Sequence, residues 1–135
     1  MSQGKKVALL IGVGAYGNGL KPLQCPANGV TELQEVLNQP DIGNFDDVIP
    51  LIDPDVGTMR TRLGEVFSRL GKRDLVLFYF TGHGIKNMTG DFYLTTSQTQ
   101  LFDNGQLNPG TAVEASFVKG VLGNLKGDNL PSGYM

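Results

Sequence analysis

The only histidine of the chain, His83, stands between two glycines in Thr81-Gly82-His83-Gly84. An unbroken apolar run, Leu75-Val76-Leu77-Phe78-Tyr79-Phe80, leads directly into it. An imidazole titrates near neutrality and can take a proton from a nucleophile as a general base. The flanking glycines would let the backbone turn sharply and leave the ring unobstructed. A surface histidine after a core strand is the plain alternative. A second stretch with chemical potential is Gly12-Val13-Gly14-Ala15-Tyr16-Gly17, which fits G-x-G-x-x-G. That pattern cradles a dinucleotide only when a helix begins within the glycine run. Here Gly19, Pro22 and Pro26 intervene, and helical periodicity begins near Asn28. The acidic partner is expected about 20 residues on, at the end of the second strand. Asp46 and Asp47 lie further along, at that strand's beginning. A flexible loop over the sheet edge fits this stretch better.

The elements that must position His83 follow from periodicity. Residues 7–13 and 75–80 read as strands buried on both faces, and 48–52 as a strand kept to a sheet edge by Pro50. Val30, Leu33, Val36 and Leu37 have helical spacing, with Asn28 as N-cap and Pro40 as terminator. Leu63, Val66, Phe67 and Leu70 form the inward face of a second helix, capped by Thr58 and closed by Gly71 at C′. Phe92-Tyr93-Leu94 reads as a short strand or one arm of a hairpin. Thr111-Ala112-Val113-Glu114 matches a capping box, opening a third helix with Val113, Phe117, Val121 and Leu122 on one side. Strand–helix–strand–helix–strand with short connections predicts a three-layer α/β fold with a mostly parallel sheet. The C-terminal strand ends, where His83 falls, are where such sheets place their sites.

Composition narrows the class. With 135 residues, 40% hydrophobic and 18% charged, the chain is one globular domain, residues 1–135, with room for a core. A net charge of −2 without a basic run argues against nucleic acid. No stretch approaches the ~18–20 apolar residues of a membrane span. One cysteine excludes an intrachain disulfide and a cysteine-rich zinc site, and fits a reducing compartment. Lys5-Lys6 and the apolar run after it are too short, and lack the cleavage site, for a secretory signal. The expected location is cytoplasmic.

Phe78-Tyr79-Phe80-Thr81-Gly82-His83-Gly84, with Asp91-Phe92-Tyr93-Leu94 downstream, resembles the histidine segment of caspase-like cysteine peptidases, including metacaspases and their bacterial relatives. Lys6-Val7-Ala8-Leu9-Leu10-Ile11-Gly12-Val13, through Tyr16 and Gly19-Leu20, resembles that family's first strand and loop. The likeness runs from about residue 6 to 122. It implies a caspase-like fold, endopeptidase chemistry on peptide or protein substrates, His83 as general base and the Gly84 amide as one oxyanion donor. In that family the helix after the histidine segment leads into a strand bearing an acidic residue and the cysteine nucleophile. Residues 124–135 carry no apolar run and no cysteine. They are therefore read as a divergent tail, and the fold as cut short before the nucleophile strand. Cys25, in the loop after the first strand, is the one thiol available; some metacaspases carry an additional cysteine in this region. The position of the metacaspase Asp that helps bind Arg or Lys is Gly29, and only Lys21 lies near that of the animal caspases' first-loop arginine. Asp91 and Asp103 stand apart, so neither calcium nor another cofactor is called for.

Three readings remain open. The chain is the N-terminal part of a cysteine endopeptidase, with a bare sheet edge beside its third strand and self-association as the consequence. Or it is a non-catalytic caspase-like protein that binds peptides or pairs with a family member. Or it is a nucleotide-binding module using residues 12–17.

Overall fold

The structure is a computed structural model, and it describes residues 4–17, 20–23, 26–68, 70–71 and 73–118. Its centre is strand β1, Lys6–Gly12, in which every residue from Val7 to Gly12 is buried. Leu9, Leu10 and Ile11 have no exposed surface, and burial of each contributes about 1.5–3 kcal/mol. Strand β2 (Asp47–Ile52) and strand β3 (Leu75–Thr81) pair with β1 in parallel on opposite sides, so Leu9 stands opposite both Ile49 and Phe78. The order is β2-β1-β3. As expected, β2 with Pro50 is an outer strand of this sheet.

Strand side chains alternate between the two faces. Ala8 and Leu10 of β1 and Leu77 and Tyr79 of β3 cluster with Val30, Leu33 and Leu37 of helix α1 (Pro26–Asn38). Val7, Leu9 and Ile11 of β1 and Val76, Phe78 and Phe80 of β3 cluster with Met59, Leu63, Val66 and Phe67 of helix α2 (Val56–Ser68). The sheet is thus the middle of three layers, as the periodicity predicts.

Several local expectations are corrected. Helix α1 begins at Pro26, so Asn28 lies inside it; proline's fixed φ suits a first helical turn. Val36 is exposed and takes no part in the inward face. The α2 cap is Asp55, whose carboxylate accepts from the Thr58 N–H at 2.6 Å. Gly71 is not in the left-handed region; its N–H donates to Asp74. Strand β3 is not buried on both faces. Val76, Phe78 and Phe80 are covered by α2, whereas Leu75 is exposed and Leu77 and Tyr79 are half-buried. Nothing flanks β3 on its far side among the described strands.

Beyond His83 the chain builds a second, antiparallel sheet of β4 (Gly84–Lys86), β5 (Phe92–Thr95) and β6 (Ala112–Glu114), in that order. Residues 92–94 are a hairpin arm and a central strand at once. The capping box at 111–114 does not form. Thr111 ends a 3-10 turn, Pro109–Thr111, and its hydroxyl donates to the Asn108 carbonyl. Pairing with β5 draws 112–114 into extended backbone with Ala112 and Val113 buried. Helix starts only at residue 115, and the described part ends at 118. Val121, Leu122 and the tail 124–135 lie outside the described residues. Arg60 of α2 pairs with Glu114 of β6, tying the second sheet to helix α2.

Candidate functional site

From β1 the chain goes by α1 to β2 on one side, then by α2 to β3 on the other. The direction reverses at β1. In open α/β sheets a crevice opens at such a point, beyond the carboxyl ends of the strands. Here the residues following β1 and those following β3 meet: Tyr16 and Lys21 from the first group, Gly82 and His83 from the second.

Four hydrogen bonds fix His83. Its Nε2 lies 2.8 Å from the Lys21 carbonyl oxygen. A carbonyl only accepts, so Nε2 carries the hydrogen, and in the neutral ring Nδ1 keeps its lone pair. Among the described residues Nδ1 has no hydrogen-bond partner. The His83 N–H donates to the Tyr16 hydroxyl at 2.9 Å. The His83 carbonyl accepts from Thr95 Oγ1 at 2.7 Å and from the Thr95 N–H at 3.3 Å. Tyr16 Oη and Thr95 Oγ1 are 2.5 Å apart. The threonine's hydrogen is spent on His83, so the tyrosine donates between them. Donation therefore runs in a closed cycle, from His83 N–H to Tyr16 to Thr95 to the His83 carbonyl. Thr95 is fully buried and Tyr16 nearly so. Burial pushes the Tyr16 phenol above its ordinary pKa, so it stays a donor through neutral pH. The Tyr16 and His83 rings also pack, with centroids 4.7 Å apart.

Gly84 faces Leu94 across the hairpin. The bonded pairs are recognisable from Thr95 N–H to His83 and from Asn87 N–H to Asp91. Bonded and non-bonded pairs alternate in antiparallel strands. Gly84 thus belongs to a non-bonded pair, and its N–H turns away from β5. A recess of about 280 Å³ beside β3 is lined by Phe80, Gly82, Gly84, Phe92 and Leu94. The two glycines are needed for close approach, not for a left-handed turn. A Cβ on Gly82 would stand 2.7 Å from the Tyr16 hydroxyl, and one on Gly84 would stand 2.2 Å from the Phe92 ring.

The glycine run 12–17 is occupied from within. Asp53, at φ +50°, accepts from the Gly14 and Ala15 N–H groups at 2.8 and 3.0 Å. The amides that would cradle a phosphate already hold a carboxylate, and α1 starts only at Pro26. Both facts oppose the nucleotide reading. They also show a braced segment in place of a free loop over the edge.

Cys25 lies outside the described residues. Lys21 reaches the site through its backbone, not its ammonium. Gly29 is in α1, where a Cβ would touch the Tyr79 hydroxyl at 3.4 Å. Asp91 accepts from Thr89 in a turn, and among the described residues no three His, Cys, Asp or Glu side chains cluster. No helix among them is long and apolar enough to cross a membrane. Sequence reasoning missed the roles of Lys21, Tyr16 and Thr95. In the sequence Tyr16 stands out only as a member of the glycine run 12–17, and a carbonyl has no sequence signal at all.

Comparison with protein families matches residues 5–132 to the family model described as Caspase domain. No curated protein matches the chain.

Proposed function

The chain belongs to the caspase domain family, and on that premise we propose that it carries the histidine half of a cysteine-endopeptidase site acting on peptide or protein substrates. One observation supports this most. The imidazole is anchored through Nε2 on a carbonyl, which leaves the Nδ1 lone pair free beside a Gly84 amide that turns away from its own hairpin. In this reading Nδ1 takes the proton of an attacking thiol and later returns it to the leaving amine. The Lys21 carbonyl stabilises the imidazolium in between. The Gly84 N–H donates to the oxyanion.

The sequence holds one thiol, Cys25. Nucleophile and base act as a unit, so a chain without a well-placed thiol retains little rate. The isolated chain is expected to be inactive or nearly so. The test is cleavage of a peptide mixture bearing basic and acidic residues before the scissile bond, read by mass spectrometry. Wild type should cleave no more than His83→Ala. Thiol-dependent cleavage lost in both His83→Ala and Cys25→Ala would overturn the inactivity and make Cys25 the nucleophile. Cleavage lost in Cys25→Ala yet retained in His83→Ala would overturn the base.

A second reading, a non-catalytic binding or regulatory protein, rests on the outer edge of β3, an edge that the first reading shares. The bonds from Leu75 N–H to Lys5 and from Val13 N–H to Thr81 point the odd-numbered residues of β3 toward β1. The backbone groups of Val76, Phe78 and Phe80 therefore face outward, unpaired among the described residues. A strand of a second copy, or of a caspase-like partner, would satisfy them. Sedimentation of the chain alone and with such a partner separates these cases; a monomer under both conditions counts against this reading.

A further inference from the structure

The proposed base needs its ring held in one tautomer and one orientation. The Lys21 carbonyl can do this only if the His83 backbone is itself fixed. His83 lies two residues past Thr81, the last residue of β3, and directly precedes β4, so the only ladder bond it makes is the one its carbonyl accepts from the Thr95 N–H, at 3.3 Å. Two side chains from distant parts of the chain close on its N–H and its carbonyl.

We propose that Tyr16 and Thr95 are positioning residues for His83, acting through the hydroxyl cycle that joins its N–H to its carbonyl. The cycle has one donor direction, and each member has its hydrogen committed. Tyr16 adds a second restraint, its ring lying against the imidazole at 4.7 Å. The parts come from the segment after β1, from the β3–β4 junction and from β5. The cycle therefore couples the parallel sheet to the antiparallel one at the imidazole. Removing the Tyr16 hydroxyl leaves the His83 N–H without its acceptor, removing the Thr95 hydroxyl leaves the His83 carbonyl only the longer bond from the Thr95 N–H, and either loss lets Nε2 leave the Lys21 carbonyl. The ring then samples both neutral tautomers. Neither hydroxyl touches a reacting atom; both act on the His83 backbone.

This rests on the reading of His83 as base, but the test reads the ring itself. His83 is the only histidine, so the imidazole nitrogens of the full ¹⁵N-labelled chain are assigned without ambiguity. At a pH where the ring is neutral, wild type should show two widely separated nitrogen shifts, those of a single Nε2–H tautomer. In Tyr16→Phe and in Thr95→Val, the separation should shrink as the tautomers average. Thr95→Ser keeps the hydroxyl and should keep the wild-type separation. Thr95→Val is nearly isosteric, so this pair stands even where Tyr16→Phe is poorly folded. An unchanged separation in both Tyr16→Phe and Thr95→Val would overturn the proposal. So would a Thr95→Ser spectrum matching Thr95→Val, since packing and not the hydroxyl would then be responsible. The base assignment fails separately, in the His83→Ala cleavage comparison.

Discussion

The Nε2 atom of His83 lies 2.8 Å from the backbone oxygen of Lys21, sixty-two residues earlier in the chain. The only imidazole is thus oriented by a main-chain group on the neighbouring strand's loop. A backbone acceptor is indifferent to the side chain that follows it. Lys21→Ala and Lys21→Glu are expected to leave the His83 tautomer unchanged. Both should shift stability by no more than about 0.5 kcal/mol, as exposed substitutions usually do. Nitrogen shifts and a urea titration of each variant check this; a tautomer change in either would give the side chain a role.

Gly84 is hemmed in by a ring. A methyl group there meets Phe92 at 2.2 Å. Gly84→Ala is expected to destabilise the fold by about 1–3 kcal/mol, the usual range for overpacking. Phe92→Leu should recover part of that loss, making the double variant less destabilised than the sum of the singles. Strict additivity in denaturant would show that the clash is relieved elsewhere.

Asp53 holds two amides of the glycine run from a left-handed backbone. Asp53→Ala loses the one oxygen that accepts both bonds and places alanine where asparagine or aspartate is better tolerated. A loss of about 1–3 kcal/mol is expected. Asp53→Asn keeps an oxygen and the backbone preference, and should lose less. With the amides so occupied, nucleotides at about 1 mM should leave the thermal midpoint unchanged. A saturable upward shift would revive the nucleotide reading.

Asp74 accepts from the Gly71 and Lys5 N–H groups, and these hold its carboxyl below the ordinary carboxylate range. The Thr58 N–H does the same for Asp55. Both folded-state pKa values are depressed, so the unfolded chain binds more protons in acid. The stabilisation is complete above the unfolded value of about 4 and disappears as pH falls through the folded values. The urea midpoint should therefore fall as pH is lowered from about 5 to about 3. In Asp74→Asn that fall should be shallower; an equal or steeper fall would mean other groups carry the acid sensitivity.

Much of the parallel sheet was legible because periodicity is a local signal. The apolar runs in β1 and β3, and the helical spacing of Leu63, Val66 and Phe67, specify their elements whatever surrounds them. Pro50 marked an outer strand for the same reason, since a missing N–H excludes a central position. The errors have a common origin. Thr58 and Asp55 compete within one turn, and the carboxylate three residues before the N–H wins. Thr111–Glu114 has the letters of a capping box, but β5, far back in the chain, offers these residues a ladder that the local pattern does not encode.

The sequence by itself determined the layered order of strands and helices, the position of a lone imidazole at a strand end, and the glycines beside it. Only the tertiary structure decided what those glycines are for. Tyr16 reaches Gly82 from the segment after β1, and Phe92 reaches Gly84 across the β4–β5 hairpin. It also decided which nitrogen of His83 is free, because the Lys21 oxygen, the Tyr16 hydroxyl and the Thr95 hydroxyl converge only when β1, β3 and β5 are in place. A hydrogen bond requires partners within about 3 Å, and residues so far apart in sequence reach that distance only through the fold.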